Sequence, residues 1–370
     1  MGLILSKIGD LINKLCPNGV EYKELNTLIN DKVLILINAP VKLKKENYKP
    51  IGEYPIIDQG HKFIIAYSDD KNALIKKDLY VIFGDHTELF KFVDFGFIQG
   101  ADGIKILKTK QNVLNTKYFY YAVSNYYIQT GKYTRHFAFL KNTLIPIPPL
   151  EVQEEIVRIL DTFTALISEL KAELEARKKQ YEYYRNKLLN FEGKNVVWKT
   201  LGEVCTFEYG KSLKESDRKN GIYPVMGSNG KVGYHDTYIV SGPCIIVGRK
   251  GSAGAINWVN ENCFPIDTAY YINLKTNGIN LRFLFQYLIS IGLTPETKSG
   301  GVPGLNRNEA YQKHIPLPSL TEQQRIVGIL DKFDTLVNDL SIGIPAEIEA
   351  RQKQYEYYRG KLLSFKKLDK

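Results

Sequence analysis

The sequence predicts an α+β fold with two mostly-β domains, which are joined by two long antiparallel coiled-coil helical regions in an internal pseudo-two-fold repeat. A tyrosine-rich segment occurs twice, as "RKKQYEYYRNKLLNF" at 177–191 and "RQKQYEYYRGKLLSF" at 351–365. With the alanine before each segment, 13 of 16 positions are identical. A Pro-rich strand that leads into a helical pattern is also repeated, as "IPIPPLEVQEEIVRILDTF" at 145–163 and "IPLPSLTEQQRIVGILDKF" at 315–333. The chain was therefore built by duplication of one unit.

The repeat sets the order of the regions along the chain. A unit of about 170 residues that occurs twice excludes a solenoid or a propeller. We predict an N-terminal helix with a first globular domain at 1–150, followed by a first helical region at 151–191. A second globular domain is expected at 192–320 and a second helical region at 321–370.

Each helical region carries an apolar stripe at steps of three and four residues, which is the spacing of a coiled-coil seam. We expect a polar cap at Glu151 or Thr321, and a partner helix along each stripe. Gly343 and Pro345 predict a helix break at 342–345, with Pro345 in the first turn of the next helix. Packing is the expected role of the seam residues, which are Phe163, Leu170, Leu174, Tyr181, Tyr184, Leu188, Phe333, Leu340, Tyr355, Tyr358 and Leu362.

The globular domains combine short strands with one late helix each. Strands are predicted at "DLYVIFGD" and "ADGIKIL" in the first domain, and at "CIIVGRK", "AINWV" and "AYYINL" in the second. Helices are predicted at "NTKYFYYAVSNYYIQT" and "NLRFLFQYLISIG". The opening "MGLILSKIGDLINKL" is predicted to be an amphipathic helix.

Composition points to a polyanionic partner. The net charge of the 370 residues is +10, which favours nucleic acid first and an acidic membrane surface second. No apolar run approaches the ~20 residues that a membrane span needs. The four cysteines lack C-x-x-C spacing, so we expect buried free thiols in a reducing cytoplasm.

Catalytic patterns are absent from the sequence. "YGKS" at 209–212 ends like a phosphate loop, but Cys205 stands where the required glycine would be. The histidines are too scattered for a zinc site. Asp58 followed by Asp69-Asp70-Lys71 loosely fits the acid and acid-x-Lys pattern of a metal nuclease, but such triples are frequent in charged loops and the second repeat lacks this one. No methyltransferase (N/D)-P-P-(Y/F) motif occurs. We therefore expect no catalytic residue, no metal and no cofactor in this chain.

Gly-rich basic loops are the expected DNA-contacting parts. Glycine lets a backbone approach a sugar-phosphate chain, while Lys and Arg contact phosphates or guanine edges. For each loop, an ordinary turn with solvated charges is the alternative. The candidates are Lys62, His86, Thr87, Lys132, Tyr133 and Arg135 in the first domain, and Lys211, Ser228, Asn229, Lys231, Arg249, Lys250, Ser252, Lys298 and Arg307 in the second. The two sets share position but not chemistry, which favours two different short DNA sequences.

The chain resembles the specificity subunits of type I restriction-modification enzymes. The resemblance rests on "LCPNGVEYKEL", "GRKGSAGAINWV", "IPLPSLTEQQRIVGILDKFDTLVNDL", "EIEARQKQYEYYRGKLLSF" and their first-copy counterparts. It implies two target-recognition domains that each read half of a bipartite asymmetric site in double-stranded DNA. The helices would set the spacer and dock two modification (methyltransferase) subunits.

The resemblance also implies that restriction subunits join the complex. S-adenosylmethionine, ATP and Mg would then belong to the partner subunits. The sequence leaves two rivals open, a stand-alone DNA-binding regulator with a duplicated domain and a coiled-coil adaptor for proteins only.

Overall fold

A computed structural model describes residues 2–100, 103–294 and 304–368, with side chains from residue 7 onward. The chain forms two compact units, one of Met1–Glu169 with Ile348–Lys370 and one of Leu170–Glu347. The first unit thus combines segments from both ends of the sequence.

The helices agree with the predicted pattern, including an amphipathic helix at the start and one late helix in each globular domain. They are α1 (Gly2–Leu15), α2 (Leu25–Asn30), α3 (Thr116–Tyr126), α4 (Phe137–Lys141), α5 (Leu150–Leu189), α6 (Leu201–Val204), α7 (Leu281–Ile291), α8 (Arg307–Tyr311), α9 (Leu320–Asn338) and α10 (Ile344–Leu363). Residues 150–169 of α5 belong to the first unit and residues 170–189 to the second.

The strands of the first unit form a two-stranded ribbon and two four-stranded sheets. They are β1 (Glu21–Glu24), β2 (Leu34–Ile37), β3 (Tyr54–Ile57), β4 (Ala66–Ser68), β5 (Leu74–Ile75), β6 (Tyr80–Gly84), β7 (Phe90–Val93), β8 (Phe97–Gln99), β9 (Ile104–Thr109) and β10 (Leu144–Ile147). The ribbon pairs β1 with β10, and the sheets have the orders β2-β9-β6-β7 and β4-β3-β8-β5.

The second unit repeats this plan. Its strands are β11 (Val197–Thr200), β12 (Cys205–Tyr209), β13 (Tyr223–Gly227), β14 (Gly230–His235), β15 (Cys244–Gly248), β16 (Ile256–Val259), β17 (Phe264–Pro265), β18 (Ala269–Leu274) and β19 (His314–Leu317). The ribbon pairs β11 with β19, and the sheets have the orders β12-β18-β15-β16 and β14-β13-β17. Both units contain a parallel pair in the second sheet, β3 with β8 and β13 with β17. The duplication and the α+β class are confirmed.

The helix starts differ from the predicted caps. The N-cap of α9 is Ser319, whose hydroxyl accepts a hydrogen bond from the backbone N–H of Glu322, so Thr321 lies inside the helix. In α5 the carbonyl of Pro149 accepts the N–H groups of Val152 and Gln153, so Glu151 lies in the first turn. A negative charge there favours the helix because it faces the positive end of the helix dipole.

The predicted break between the last two helices is confirmed, although it begins slightly earlier, after Asn338. The carboxylate of Asp339 accepts the backbone N–H groups of Ser341 (2.7 Å) and Ile342 (3.2 Å), which ends α9. The backbone of Gly343 passes so close to α9 that a Cβ there would lie 2.5 Å from the Thr335 carbonyl oxygen. Pro345 then occupies the first turn of α10, as predicted.

Candidate nucleic-acid interface

The first candidate loop follows β6 and is fixed by Asp85. This residue is buried, and its carboxylate accepts the backbone N–H groups of His136 (2.9 Å) and Phe137 (2.7 Å). Its main-chain carbonyl also accepts the N–H of His136. These bonds attach the segment 130–137, which we call the first reading loop, to the end of the strand.

Glu88 holds the other end of the first reading loop. It adopts a φ of 58°, and its buried carboxylate accepts the Tyr127 hydroxyl (2.8 Å) and the backbone N–H groups of Thr130 and Gly131 (both 2.9 Å). The Nδ1 atom of His136 lies 3.1 Å from the same carboxylate. Burial alone would raise the pKa of Glu88, but the hydrogen bonds from Thr130, Tyr127 and Gly131, with His136, outweigh it and lower that pKa.

The first reading loop borders a concavity of about 790 Å³, which we call the first-domain groove. Tyr133 is 90% exposed and stacks on His86, with ring centroids 5.3 Å apart and an interplanar angle of 23°. Arg135 also lines the groove. Of the six candidates in this domain, these three lie together. A stacked, exposed aromatic pair beside an arginine is suited to contact with a nucleotide base or sugar.

Sequence reasoning missed several polar residues that line the same groove. Lys105 lies on β9 with its Nζ 5.3 Å from the centroid of the Phe137 ring, and Gln59 accepts the backbone N–H of His86 at 3.1 Å. The remaining polar members are Asn38, Lys42, Asp85 and Gln99. The alternation of apolar and basic residues in "IKILKT" is the signal that could have identified Lys105, because successive side chains of a strand point to opposite faces.

The other three candidates of the first domain lie outside the groove lining. The Thr87 hydroxyl donates to the Gln59 carbonyl at 2.6 Å, so this side chain secures the loop. The side chains of Lys62 and Lys132 are exposed. Lys91 donates to the carbonyl of Lys62 at 2.8 Å, and burial lowers the pKa of the Lys91 amine.

In the second domain two candidate arginines meet at one tyrosine. The guanidinium carbons of Arg249 and Arg307 lie 5.3 and 5.0 Å from the centroid of the Tyr209 ring, and we call these three residues the Tyr209–arginine cluster. Arg249 is oriented further by its Nε, which donates to the Asp267 carbonyl at 2.7 Å. Fixed guanidinium planes match the hydrogen-bond pattern of guanine edges or phosphates.

Close backbone approach brings more of the second-domain candidates to this cluster. A Cβ on Gly248 would lie 2.1 Å from the Ser252 carbonyl oxygen and 2.5 Å from that of Ser228, so only glycine fits there. Lys250 forms a β-bridge with Gly304, and the carbonyl of Arg249 accepts the N–H of Leu305 at 2.9 Å. Leu305 thus returns to the end of β15 as His136 returns to the end of β6.

Among the remaining second-domain candidates that the structure describes, Lys211 and Lys231 are exposed lysines and Asn229 lies in a turn. Lys211 bridges Ile266 through its backbone. Lys231 contacts Tyr234, with its Nζ 2.7 Å from the hydroxyl and 4.7 Å from the ring centroid. Asn229 is exposed in the turn between β13 and β14, and Lys298 lies outside the described residues.

The seam candidates pack within each unit. In the first unit Phe163 stacks on Tyr358 at 5.5 Å, and Tyr355 and Leu362 join the same core. In the second unit Tyr181 and Tyr184 stack on Phe333 at 6.0 and 5.5 Å. Leu174 and Leu188 pack on this second core, and Leu170 is half-buried. The structure therefore gives these tyrosines a packing role.

The seam prediction is wrong for Leu340. Its side chain is 76% exposed and follows the end of α9, because Asp339 terminates that helix. The heptad pattern predicted that α9 extends to Leu340, whereas the helix ends before Asp339.

The residues described by the structure contain no cluster of histidine, cysteine and acidic side chains that could hold a metal ion. Within the same residues, no helix is long and apolar enough to cross a membrane. All four cysteines are buried and free, and the thiols of Cys244 and Cys263 lie within hydrogen-bond distance, with their sulfur atoms 3.5 Å apart and no disulfide between them.

The family model of the type I restriction modification DNA specificity domain matches residues 20–176 and again residues 193–350. The chain belongs to this family. A specificity subunit of a type I restriction enzyme from Escherichia coli is 33% identical over 365 residues, covering 88% of this chain and 90% of that protein. A Haemophilus influenzae protein named for the same role is 36% identical over 383 residues, covering 94% and 96%.

Solved structures share the fold. The S subunit of a type I restriction-modification system from M. genitalium has a TM-score of 0.66 and 19% identity, and the match covers 93% of this chain and 96% of that one. A structure from a study of complex assembly in a type I system has a TM-score of 0.55 and 18% identity, with coverage of 94% and 98%. Membership in the family agrees with a DNA-recognition subunit that is not itself an enzyme, and it does not favour a stand-alone regulator.

Proposed function

We propose that this chain is the DNA sequence-specificity subunit of a type I restriction-modification complex, and that each of its two domains reads one half of a bipartite, asymmetric site. The observation that carries the proposal is one scaffold present twice, with different side chains at the same strand ends. Asp85 and His86 follow β6, whereas Arg249 and Lys250 follow β15. A protein that reads a symmetric site has no need of this divergence.

The division of labour follows from the chemistry of the two sites. Exposed lysines contact DNA phosphates and so supply binding affinity. This part of the affinity depends on salt concentration and carries no sequence information. Oriented groups supply base choice, namely the His86–Tyr133 pair in the first-domain groove and the Tyr209–arginine cluster in the second domain. Two linked readers gain affinity because the second contact becomes intramolecular.

The helical regions set the spacer and dock two modification subunits, and restriction subunits join that assembly on double-stranded DNA in the cytoplasm. S-adenosylmethionine, ATP and Mg belong to those partners. Support for the spacer role comes from the equivalent stacked pairs of the two copies, Phe163 with Tyr358 and Phe333 with Tyr184, which pack the helices within each unit.

Mapping of N6-methyladenine across the genome of a host with and without this chain tests the proposal. We expect bipartite methylated sites that disappear when the chain is removed, and half-sites that change separately when either domain is altered. Tight, specific binding by the isolated chain without modification subunits, together with unchanged methylation, would refute it.

A further inference from the structure

A buried glutamine joins each globular domain to the helix that follows it. Gln153 is the fourth residue of α5 and is fully buried. Its Oε1 accepts the backbone N–H of Asn115 at 2.9 Å, and its Nε2 donates to the carbonyls of Val113 (3.1 Å) and Pro148 (2.7 Å). Asn115 is the N-cap of α3. The amide therefore ties the start of one helix to the start of another.

The second copy makes the same three bonds with Gln323, which is the fourth residue of α9 and is also fully buried. Its Oε1 accepts the N–H of Asn280, the N-cap of α7, at 2.7 Å. Its Nε2 donates to the carbonyls of Gly278 (3.0 Å) and Pro318 (2.9 Å). We call Gln153 and Gln323 the latch glutamines.

A charged contact lies further along each helix pair. Lys117 of α3 donates to Asp161 of α5 at 2.8 Å. Arg282 of α7 donates to Asp331 and Asp334 of α9 at 2.7 and 2.9 Å. Each domain helix is thus held by polar contacts at its start and further along, in addition to the apolar core that it shares with the long helix, and together these contacts define its direction as well as its position.

The chemistry of the latch glutamines makes them hard to replace. In each buried amide the oxygen and the Nε2 are hydrogen-bonded to main-chain groups. Loss of the amide would remove this hydrogen-bond partner from one backbone N–H and two backbone carbonyls. Buried polar groups without hydrogen-bond partners destabilise the packing of the two helices in which they occur. A domain that has lost this amide keeps its apolar packing and the charged contact, but it can tilt on the long helix because the start of its own helix is no longer fixed.

We propose that the latch glutamines are positioning residues for spacer length: they fix the orientation of each target-recognition domain on its helix, and so the separation at which the two half-sites are read. The proposal rests on the proposed function. Spacers that differ by one base pair differ in length by about 3.4 Å along the DNA. A small rotation of a domain where it meets its helix displaces the DNA-contacting loops by a comparable distance.

The second copy offers a matched pair of variants. Gln323→Leu removes the latch, whereas Gln324→Leu makes the same change at the adjacent, exposed position. In the assembled complex, N6-methyladenine mapping should show both half-sites unchanged in Gln323→Leu. Preference for the wild-type spacer over spacers one base pair longer or shorter should fall about tenfold or more. Gln324→Leu should match the wild type.

A second variant keeps the test decisive if Gln323→Leu fails to assemble. The carboxyl of Gln323→Glu, which this buried site keeps protonated, retains an oxygen for the Asn280 N–H and one of the two donated bonds, so we expect partial relaxation of spacer choice. An unchanged spacer distribution in an assembled variant, or altered bases in a half-site, would overturn the proposal. Absence of bipartite methylation in the wild type would instead overturn the proposed function.

Discussion

Replacing Glu88 with Gln should loosen the first reading loop without unfolding the domain. In the wild type one carboxylate oxygen accepts the Tyr127 hydroxyl, and both oxygens face the N–H groups of Thr130 and Gly131. A Gln side chain has a single acceptor oxygen, so its NH₂ group must face one of these donors. Loss of one charge-assisted hydrogen bond costs about 1.5–3 kcal/mol, and more where a donor is left buried and unpaired.

Amide hydrogen exchange in the segment 130–137 measures this change directly. A local cost of about 2–3 kcal/mol corresponds to exchange that is roughly 30- to 150-fold faster. Glu46→Gln, at an exposed position of a short 3₁₀ turn, is the control and should leave exchange unchanged. Methylation mapping should then show weaker base preference in the half-site that the first domain reads, and unchanged base preference in the other half-site. Unchanged exchange in Glu88→Gln would refute the reasoning, because it would mean that the carboxylate does not hold the loop.

Three further predictions concern charge. Arg249→Lys keeps the charge but loses the planar guanidinium that stacks on Tyr209. In binding assays with base-substituted duplexes, discrimination at one base pair of the second half-site should therefore fall by about 1–3 kcal/mol. Equal weakening on all sequences would instead indicate a phosphate contact. Lys250→Gln should reduce the slope of log affinity against log salt by about 0.9 and keep both half-sites, and an identical slope would exclude a phosphate contact. Because the folded pKa of Glu88 is lowered, its stabilisation is complete above the unfolded value of about 4.3 and is lost as pH falls through the lower folded value. Exchange protection of Gly131 should therefore be flat from pH 7 to 5 and fall below pH 4, whereas a loss near pH 6 would point to another group.

The fold was predictable where duplication and periodicity act together. The two copies of the Pro-rich strand and the following helix are recognisable because their sequences match. The corresponding sheets of the two units reflect the same repeat. The composition of the units was not predictable from chain order. Residues of α10 pack with the first part of α5, and such pairing depends on contacts between segments that lie far apart in sequence.

The candidate site was predictable in part. Glycine next to a cation identified Arg249 and Lys250, because close backbone approach and positive charge are both visible in the sequence. Lys105 was missed because its role depends on which strands are neighbours in the sheet, and Gln59 was missed because its role depends on hydrogen bonds to His86 and Thr87, which lie far from it in sequence. Leu340 was placed in the seam because a heptad count cannot detect that an aspartate side chain will end the helix.

The return of each loop to its strand end bears on how this protein can change over generations. The carbonyls of Asp85 and Arg249 accept the N–H groups of His136 and Leu305, and these are main-chain bonds that survive most side-chain replacements. In the first domain the Asp85 carboxylate adds two more bonds to the returning loop, so replacement of Asp85 weakens the attachment of that loop, whereas replacement of Arg249 leaves the main-chain bond to Leu305 in place. New DNA targets should therefore be acquired more readily through the second domain, while the first domain remains the more conservative half.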